Sequence, residues 1–462
     1  MLTHSQTTPP STAAQRPLKR VLMVSPHFAP INAPDSQRIR TMLPYLAEYG
    51  WEAEVLTVAP QFVEHPQDPY LVQLLPSELA IHRTAAFATR YTRKVGLGNL
   101  GLRCLPFFQR MGDRLLAQQA FDAVFFSTTI FPVMTLGARW QRKFGVPYVL
   151  DFQDPWLGGF YQSRQGKSQS GASAIPPGGR FKYAVDKAMA QFLEPRAMQG
   201  VSHVISVSPD YPELLQQRYP HLSPTQFSVL PFGAPEDDFA QLPNLAIPQS
   251  IFDPNDGNRH WVYVGRGGPD MATALRALFY SLRQVGEQQP EVLRSLRLHF
   301  VGTSYAQGDR AVKTIEPIAQ EYGLGDQVRE YPHRIPYFAA QQLLLDSDAI
   351  LMIGSDDPRY TASKLYPAVL ARKPILAIFH PNSTVVDILQ ACQAGQVATF
   401  TPGAEPQENY GAIAPLLQEF MHYPKDYCPP LNWAAFEPYT ARAMTRQLCT
   451  IFDHCLVEKD AS

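Results

Sequence analysis

Apolar residues fall along this chain in two alternating rhythms: short unbroken runs, and longer stretches where they recur every third or fourth position. The run at 20–24 ends in Ser25-Pro26 and leads into a loop containing proline and alanine. A helix is predicted from about 36 to 48, stopped by Gly50, and a second strand at 53–58. A connection of that length suits a crossover, so the two strands are expected to run parallel. Further strands are predicted at 123–127, 147–151, 203–207 and 227–230, with helical stretches between them. The first half reads as a doubly wound sheet.

Prolines and glycines then crowd together with little periodicity, and 236–258 are expected to form an interdomain linker. The alternation resumes with strands at 261–265, 296–301, 328–331 and 349–353 and helices at 271–285, 310–322 and 337–345. The stretch 360–378 reads as a loop, a short helix capped by Ser363 with Leu365, Val369 and Leu370 on one face, and a buried strand opening at Ile375. A helix and strand at 384–394 and 397–400 complete this half, and an amphipathic helix over 433–456 is expected to tie the two units together. Residues 1–17, rich in Thr, Pro, Ser and Gln, read as a disordered lead. The expected fold class is α/β: two Rossmann-like, doubly wound parallel-sheet domains, 18–235 and 259–432, facing a cleft, with a C-terminal helix crossing back.

Composition changes this picture little. A chain of 462 residues, 45% hydrophobic and 18% charged, is ordinary globular material, and its length asks for about two or three domains. A net charge of -1 offers nucleic acid no basic surface overall. Five scattered cysteines without a CxxC pair argue against structural zinc or a disulfide framework and for a reducing, cytoplasmic setting. A long uncharged run, 123–138, is interrupted by Ser127-Thr128-Thr129 and Pro132 and falls short of the roughly 20 apolar residues of a spanning helix.

In open parallel sheets, ligands lie outside the carboxyl ends of the strands, so the residues just after each strand carry the chemistry. In the second half these are Gly265-Arg266-Gly267-Gly268, Gly302-Thr303-Ser304, Pro332-His333-Arg334, Gly354-Ser355 and the loop before Ser363. Glycines let backbone approach a phosphate, the helix start after Ser363 aims N–H groups outward, and Arg266 and Lys364 bring cations from two strand ends. Each cation alone is also what a solvated surface charge looks like; together they predict an anion site, with a diphosphate as the natural ligand. The glycine run matches neither GxGxxG nor a P-loop.

In the first half, Asp151 and Asp154 follow one strand and His27 follows another. Such groups can take a proton from an acceptor hydroxyl. Asp154 is the first candidate, against the plainer reading of the aspartates as turn caps and of His27 as structural. Asp346-Ser-Asp348 sits at a helix end, where a turn role is expected, and no metal is assigned. Between 83 and 114, Arg90, Arg93, Lys94, Arg103, Arg110 and Arg114 interleave with Tyr91, Leu97, Phe107 and Phe108. The mixture suits contact with an anionic membrane, or an ordinary helix with one face in the core. Residues 158–179, rich in Ser, Gly and Gln, read as a flexible insertion.

The order of these motifs resembles that of GT-B glycosyltransferases of the family 4 type over about 18–455. The resemblance rests on Val21-Leu-Met-Val-Ser-Pro-His27, Arg38, Asp151-Phe-Gln-Asp-Pro-Trp156, Val229-Leu-Pro-Phe-Gly233, Tyr263-Val-Gly-Arg266, Phe300-Val-Gly302 and Ser363-Lys-Leu-Tyr366. It implies transfer of a sugar from a nucleotide-sugar co-substrate on the C-terminal domain to a glycan, lipid-linked or small-molecule acceptor on the N-terminal domain. It further implies retention of configuration, no metal or bound cofactor, and a place in the cytoplasm or at the inner membrane face. Arg266 and Lys364 would neutralise the leaving diphosphate, with Gly265, Gly302, His333, Ser363 and Leu365 around the donor. Family members carry two glutamates where this chain has Arg359 and Pro367, and a lysine shortly after the arginine, which 267–271 do not supply. A transferase-like binding protein without activity, and a sugar-nucleotide epimerase on the same fold, are the alternative readings.

Overall fold

A computed structural model of the chain describes residues 17–92, 98–157, 179–304, 310–358, 360 and 362–461. The apolar runs form two sheets. The first contains β1 (Lys19–Val24), β2 (Trp51–Val58), β3 (Ile81–Thr84), β4 (Ala123–Ser127), β5 (Tyr148–Phe152), β6 (His203–Ser206) and β7 (Phe227–Val229), in the order β3-β2-β1-β4-β5-β6-β7. The second contains β8 (Arg259–Val264), β9 (Leu296–Val301), β10 (Val328–Tyr331), β11 (Ala349–Ile353), β12 (Ile375–Phe379) and β13 (Gln396–Thr399), in the order β10-β9-β8-β11-β12-β13. Neighbouring strands in both sheets run parallel. Every residue of β4, β5, β11 and β12 is buried. Packing covers both faces of these strands, which is why they read as unbroken apolar runs rather than as alternation.

In each sheet the strand order reverses once, between β1 and β4 and between β8 and β11. Connections leaving the two strands there turn to opposite faces and open a crevice at the carboxyl ends. His27 and Thr128 rim the first crevice; Arg266 and Ser355 rim the second.

Helices depart from their expected bounds where proline intervenes. α1 (Pro34–Met42) passes into a 3-10 segment, Leu43–Tyr49, with Pro44 near its start. α2 (Leu100–Gln118) fills much of the expected membrane-facing stretch. α3 (Glu236–Leu245) forms inside the expected linker in spite of Pro243: three acidic residues stabilise its first turn and Leu242 is buried. α4 (Ala272–Gln288) and α5 (Tyr337–Asp346) fall close to expectation. α6 (Leu365–Leu370) is a short helix that Ser363 does not cap. Lys364 holds the N-cap position, and a tight turn from Leu365 N–H to the Ala362 carbonyl (2.9 Å) precedes the helix instead. α7 (Tyr410–His422) was not anticipated.

The expected helix over 433–456 is split at Pro438 into Trp433–Phe436, a 3-10 turn and α8 (Ala441–Ala461). α8 returns to the first domain: the Phe452 ring meets Trp51 at 5.1 Å and Phe125 at 5.5 Å, and Asp453 accepts from Trp51 Nε1 at 3.0 Å. The chain crosses between domains beside Ala234, which donates to the Tyr439 carbonyl (2.7 Å) and accepts from Ala441 N–H (2.8 Å). Gly233 permits this approach, since a Cβ there would lie 2.6 Å from Ala441 Cα. The expected lead and insertion fall outside the described residues at 1–16 and 158–178. No described helix is long and apolar enough to cross a membrane.

Candidate active site

The second sheet presents cations. Arg334, after β10, and Lys364, at the start of α6, are both exposed. The Lys364 ammonium is nevertheless pushed below its ordinary pKa, first by surrounding protein that displaces water and then by the charge of Arg334. Exposure and crowding together describe a cleft, open to water and walled on its sides. A bound anion would relieve the repulsion between the two cations. Gly265 continues the sheet, donating to the Val301 carbonyl (3.1 Å). Gly302 adopts φ 75°, a left-handed conformation that suits glycine, and donates to the Tyr331 carbonyl (2.8 Å). His333 and Ser363 are exposed nearby, whereas Leu365, at 1% exposure, belongs to the core.

Arg266 is not freely available. Its guanidinium donates to both carboxylate oxygens of Asp270 (2.9 and 2.6 Å) and lies 4.6 Å over the Tyr360 ring. Ser355 donates to the same carboxylate (2.6 Å). Burial works against the Asp270 charge, but the bonds from Arg266 and Ser355 outweigh it and hold the carboxyl below its usual range.

The first sheet presents proton-handling groups. Asp35, in the first turn of α1, is 1% exposed. Its carboxylate accepts from His27 Nδ1 (2.9 and 3.1 Å), Thr128 Oγ1 (3.0 Å) and Thr129 N–H (3.3 Å). Burial alone would favour the neutral acid; His27 and these bonds hold the carboxyl low instead. His27 thus turns Nδ1 to Asp35 and leaves Nε2 for another partner. The His27 ring meets His65 edge-on at 4.7 Å. His65 is exposed, and crowding, His27 and Arg334 together lower its pKa. Asp154, also exposed, is shifted upward by crowding and by the Asp35 charge. Contacts join Asp35, His27 and His65, and charge alone relates Asp154 to Asp35 and His65 to Arg334.

Asp151, expected beside Asp154, is fully buried instead. Arg38 Nε (2.7 Å), Ser127 Oγ (2.8 Å) and Gln153 Nε2 (2.9 Å) all meet one carboxylate oxygen. Arg38 in turn donates to the carbonyls of Leu230 and Pro231 (2.7 and 3.1 Å), so Asp151 braces the chain where it leaves the first domain. Arg103, expected on a basic face, is buried and donates to the carbonyls of Phe62 and Phe87 (2.9 and 3.2 Å); Arg93, Lys94 and Leu97 lie outside the described residues. Asp348 accepts from His260 N–H (2.7 Å), a pairing at the opposite end of β11 from the cleft. Strand-end position points to Arg334. Asp35, His65 and Asp270 carry no such mark, although the spacing of Arg266 and Asp270 is that of a local ion pair.

Two parallel-sheet domains with facing crevices, joined by a helix that returns to the first, define the GT-B fold. Residues 36–233 match the profile of the glycosyl transferase 4-like domain. No curated protein sequence matches the chain. Among solved structures, Alr3699/HepE from Anabaena, in complex with UDP and glucose, is similar at 15% identity and TM-score 0.55, covering 94% of this chain and 98% of that one. The N-terminal domain of trehalose-6-phosphate phosphatase from Candida albicans is similar at 11% identity and TM-score 0.58, covering 96% and 98%. A UDP-forming alpha,alpha-trehalose-phosphate synthase from Burkholderia xenovorans is similar at 13% and TM-score 0.51, covering 96% and 99%. At these identities the likeness is one of fold.

Proposed function

We propose that the protein transfers a glycosyl group from a nucleotide-sugar donor on the second domain to an acceptor hydroxyl on the first. One observation carries this reading: cations at the strand ends of one sheet face an imidazole–carboxylate cluster at the strand ends of the other. Lys364 and Arg334 hold the diphosphate and stabilise the charge that grows on it as the glycosidic bond breaks, a task that needs no metal when two cations are already in place. Asp154 stabilises positive charge on the sugar, and His27, oriented by Asp35, receives the acceptor hydroxyl. Retention of configuration goes with these roles; inversion would make His27 the base that takes the hydroxyl proton. A UDP-sugar is the first donor to test, because the HepE structure contains UDP.

Exposed Phe87 and Tyr91, with Arg90 4.7 Å over the Tyr91 ring, and exposed Arg110 and Arg114 suit a lipid-linked acceptor at the cytoplasmic face of an anionic membrane.

Calorimetric titration with UDP, GDP, ADP and their sugars tests the donor site, and release of nucleoside diphosphate across an acceptor panel tests transfer. Saturable binding of one diphosphate and its acceptor-dependent release are expected; no binding to any of them overturns the donor-site reading. Binding without release supports an inactive, ligand-binding protein, which the neutralisation of Arg266 by Asp270 favours.

A further inference from the structure

Three residues beyond His65 lies Asp68, and three beyond Arg334 lies Tyr337, the first residue of α5. These two residues touch across the domain boundary. Asp68, 1% exposed, accepts the Tyr337 backbone N–H at 2.9 Å through one carboxylate oxygen and Tyr70 N–H at 3.1 Å through the other. Its own N–H donates to the Pro30 carbonyl (2.7 Å), fixing it to the loop after β1. A helix start needs partners for its first N–H groups, ordinarily from the N-cap side chain. Pro336 holds that position in α5 and has no side chain that can serve; a carboxylate from the other domain does so instead.

The Tyr337 ring is held as firmly. Its hydroxyl donates to Asp238 of α3 (2.8 Å), and both oxygens of that carboxylate receive the Arg40 guanidinium of α1 (2.6 and 2.5 Å). The same guanidinium lies 5.0 Å over the Tyr337 ring. Arg40 shares α1 with Asp35, so the helix that carries the acceptor-side carboxylate also grips the segment that carries Arg334. A fork of charge-assisted bonds, closed on both sides by buried side chains, is a rigid joint.

We infer that Asp68 and Tyr337 are positioning residues that pin His65 opposite Arg334 and so set the distance between the two walls of the cleft. The consequence for turnover rests on the proposed transferase reading; the positioning itself does not.

The experiment is histidine-selective NMR titration of the full-length protein in wild type, Asp68→Ala, Asp68→Asn, Tyr337→Phe and Arg334→Ala. Asp68→Asn removes the charge and keeps one carbonyl acceptor, which can serve α5, while its NH2 replaces the oxygen that accepts Tyr70 N–H. His65 is expected to titrate higher in Arg334→Ala and in Asp68→Ala, to stay near wild type in Asp68→Asn, and to rise less in Tyr337→Phe, which keeps the Asp68 bond. Should Asp68→Ala fail to fold, Tyr337→Phe tests the hydroxyl half of the joint, and a His65 unmoved there overturns the inference. A His65 that titrates alike in wild type, Asp68→Ala and Tyr337→Phe while Arg334→Ala moves it overturns the inference, as does a His65 insensitive to Arg334→Ala. If the protein transfers sugar, Asp68→Ala lowers kcat by about tenfold through misplacement of the facing groups while diphosphate affinity, held chiefly by Lys364, falls less. A protein without transferase activity still shows the titration shifts, so the two readings fail separately.

Discussion

On the second domain's wall of the cleft, Lys364 and Arg334 stand in solvent; on the first domain's wall, Asp35 and His27 are buried against each other. The contrast suits the two tasks proposed for the walls. Under the proposed transfer, an anion arriving from water is met by long exposed cations. A proton is moved only by a group whose orientation is fixed beforehand, which takes burial and several partners. Arg266 sits on the same wall as the two cations yet is only half-exposed, its guanidinium held by both oxygens of Asp270.

The contrast can be broken most severely at Asp35. Asp35→Asn is expected to lower turnover by about 10²- to 10³-fold through misorientation of His27, to remove about 2 kcal/mol of stability in urea titrations, and to leave diphosphate affinity unchanged. In the wild type this carboxylate stabilises the fold at pH values above 3.8, its ordinary pKa, and the contribution is lost as pH falls below that toward the depressed native value. Unchanged turnover would mean that the pair serves the fold alone.

Next in size is Lys364→Ala, expected to weaken diphosphate binding about a hundredfold, or about 3 kcal/mol, in calorimetry. An exposed residue should leave the unliganded melting temperature where it was. Asp270→Ala sharpens the comparison from the other direction: it releases Arg266 to the cleft and is expected to tighten diphosphate binding by up to about tenfold. Weaker binding in that variant would place Asp270 itself on the ligand.

The smallest effect is shared by both domains. His203 in β6 and His299 in β9 are each held at about 4 by burial, and are therefore neutral in the fold and protonated in the unfolded chain at intermediate pH. Stability is expected to fall between pH 6.5 and about 5.5 by about 1 kcal/mol for each, and His203→Gln or His299→Gln should flatten the denaturation curve accordingly.

Most of the fold was legible because buried parallel strands leave a local trace: 349–353 and 375–378 read as unbroken apolar runs and are strands. β3 was not, since Ile81-His-Arg-Thr84 is a short, half-polar edge strand. α7 was missed although Ile413, Leu417, Phe420 and Met421 are spaced as a helical stripe, because Gly411 and Pro415 interrupt it. In the site, strand-end position singles out Lys364 and Arg266; Arg334 lies in the strand-end segment 332–334 without being named as a cation, and Arg266 is paired with Asp270. Asp35 has no such mark: its meaning comes from Thr128, 93 positions away in the chain, and from a loop whose path no periodicity records. Asp151 and Asp154 both read as candidates, with Asp154 preferred, and the three residues between them matter: Asp151, inside β5, is in the core, whereas Asp154, past its end, is exposed.

The return of α8 to the first sheet sets the order in which the molecule is finished during synthesis. One core face of that sheet includes Met444, Leu448 and Phe452, and Trp51 finds its partner Asp453 402 positions downstream. The second sheet draws its two core faces chiefly from residues up to Phe436. The domain translated first is thus completed second, and its nascent sheet carries Trp51 and Phe125 uncovered through most of elongation, an apolar face of the sort that chaperones shield.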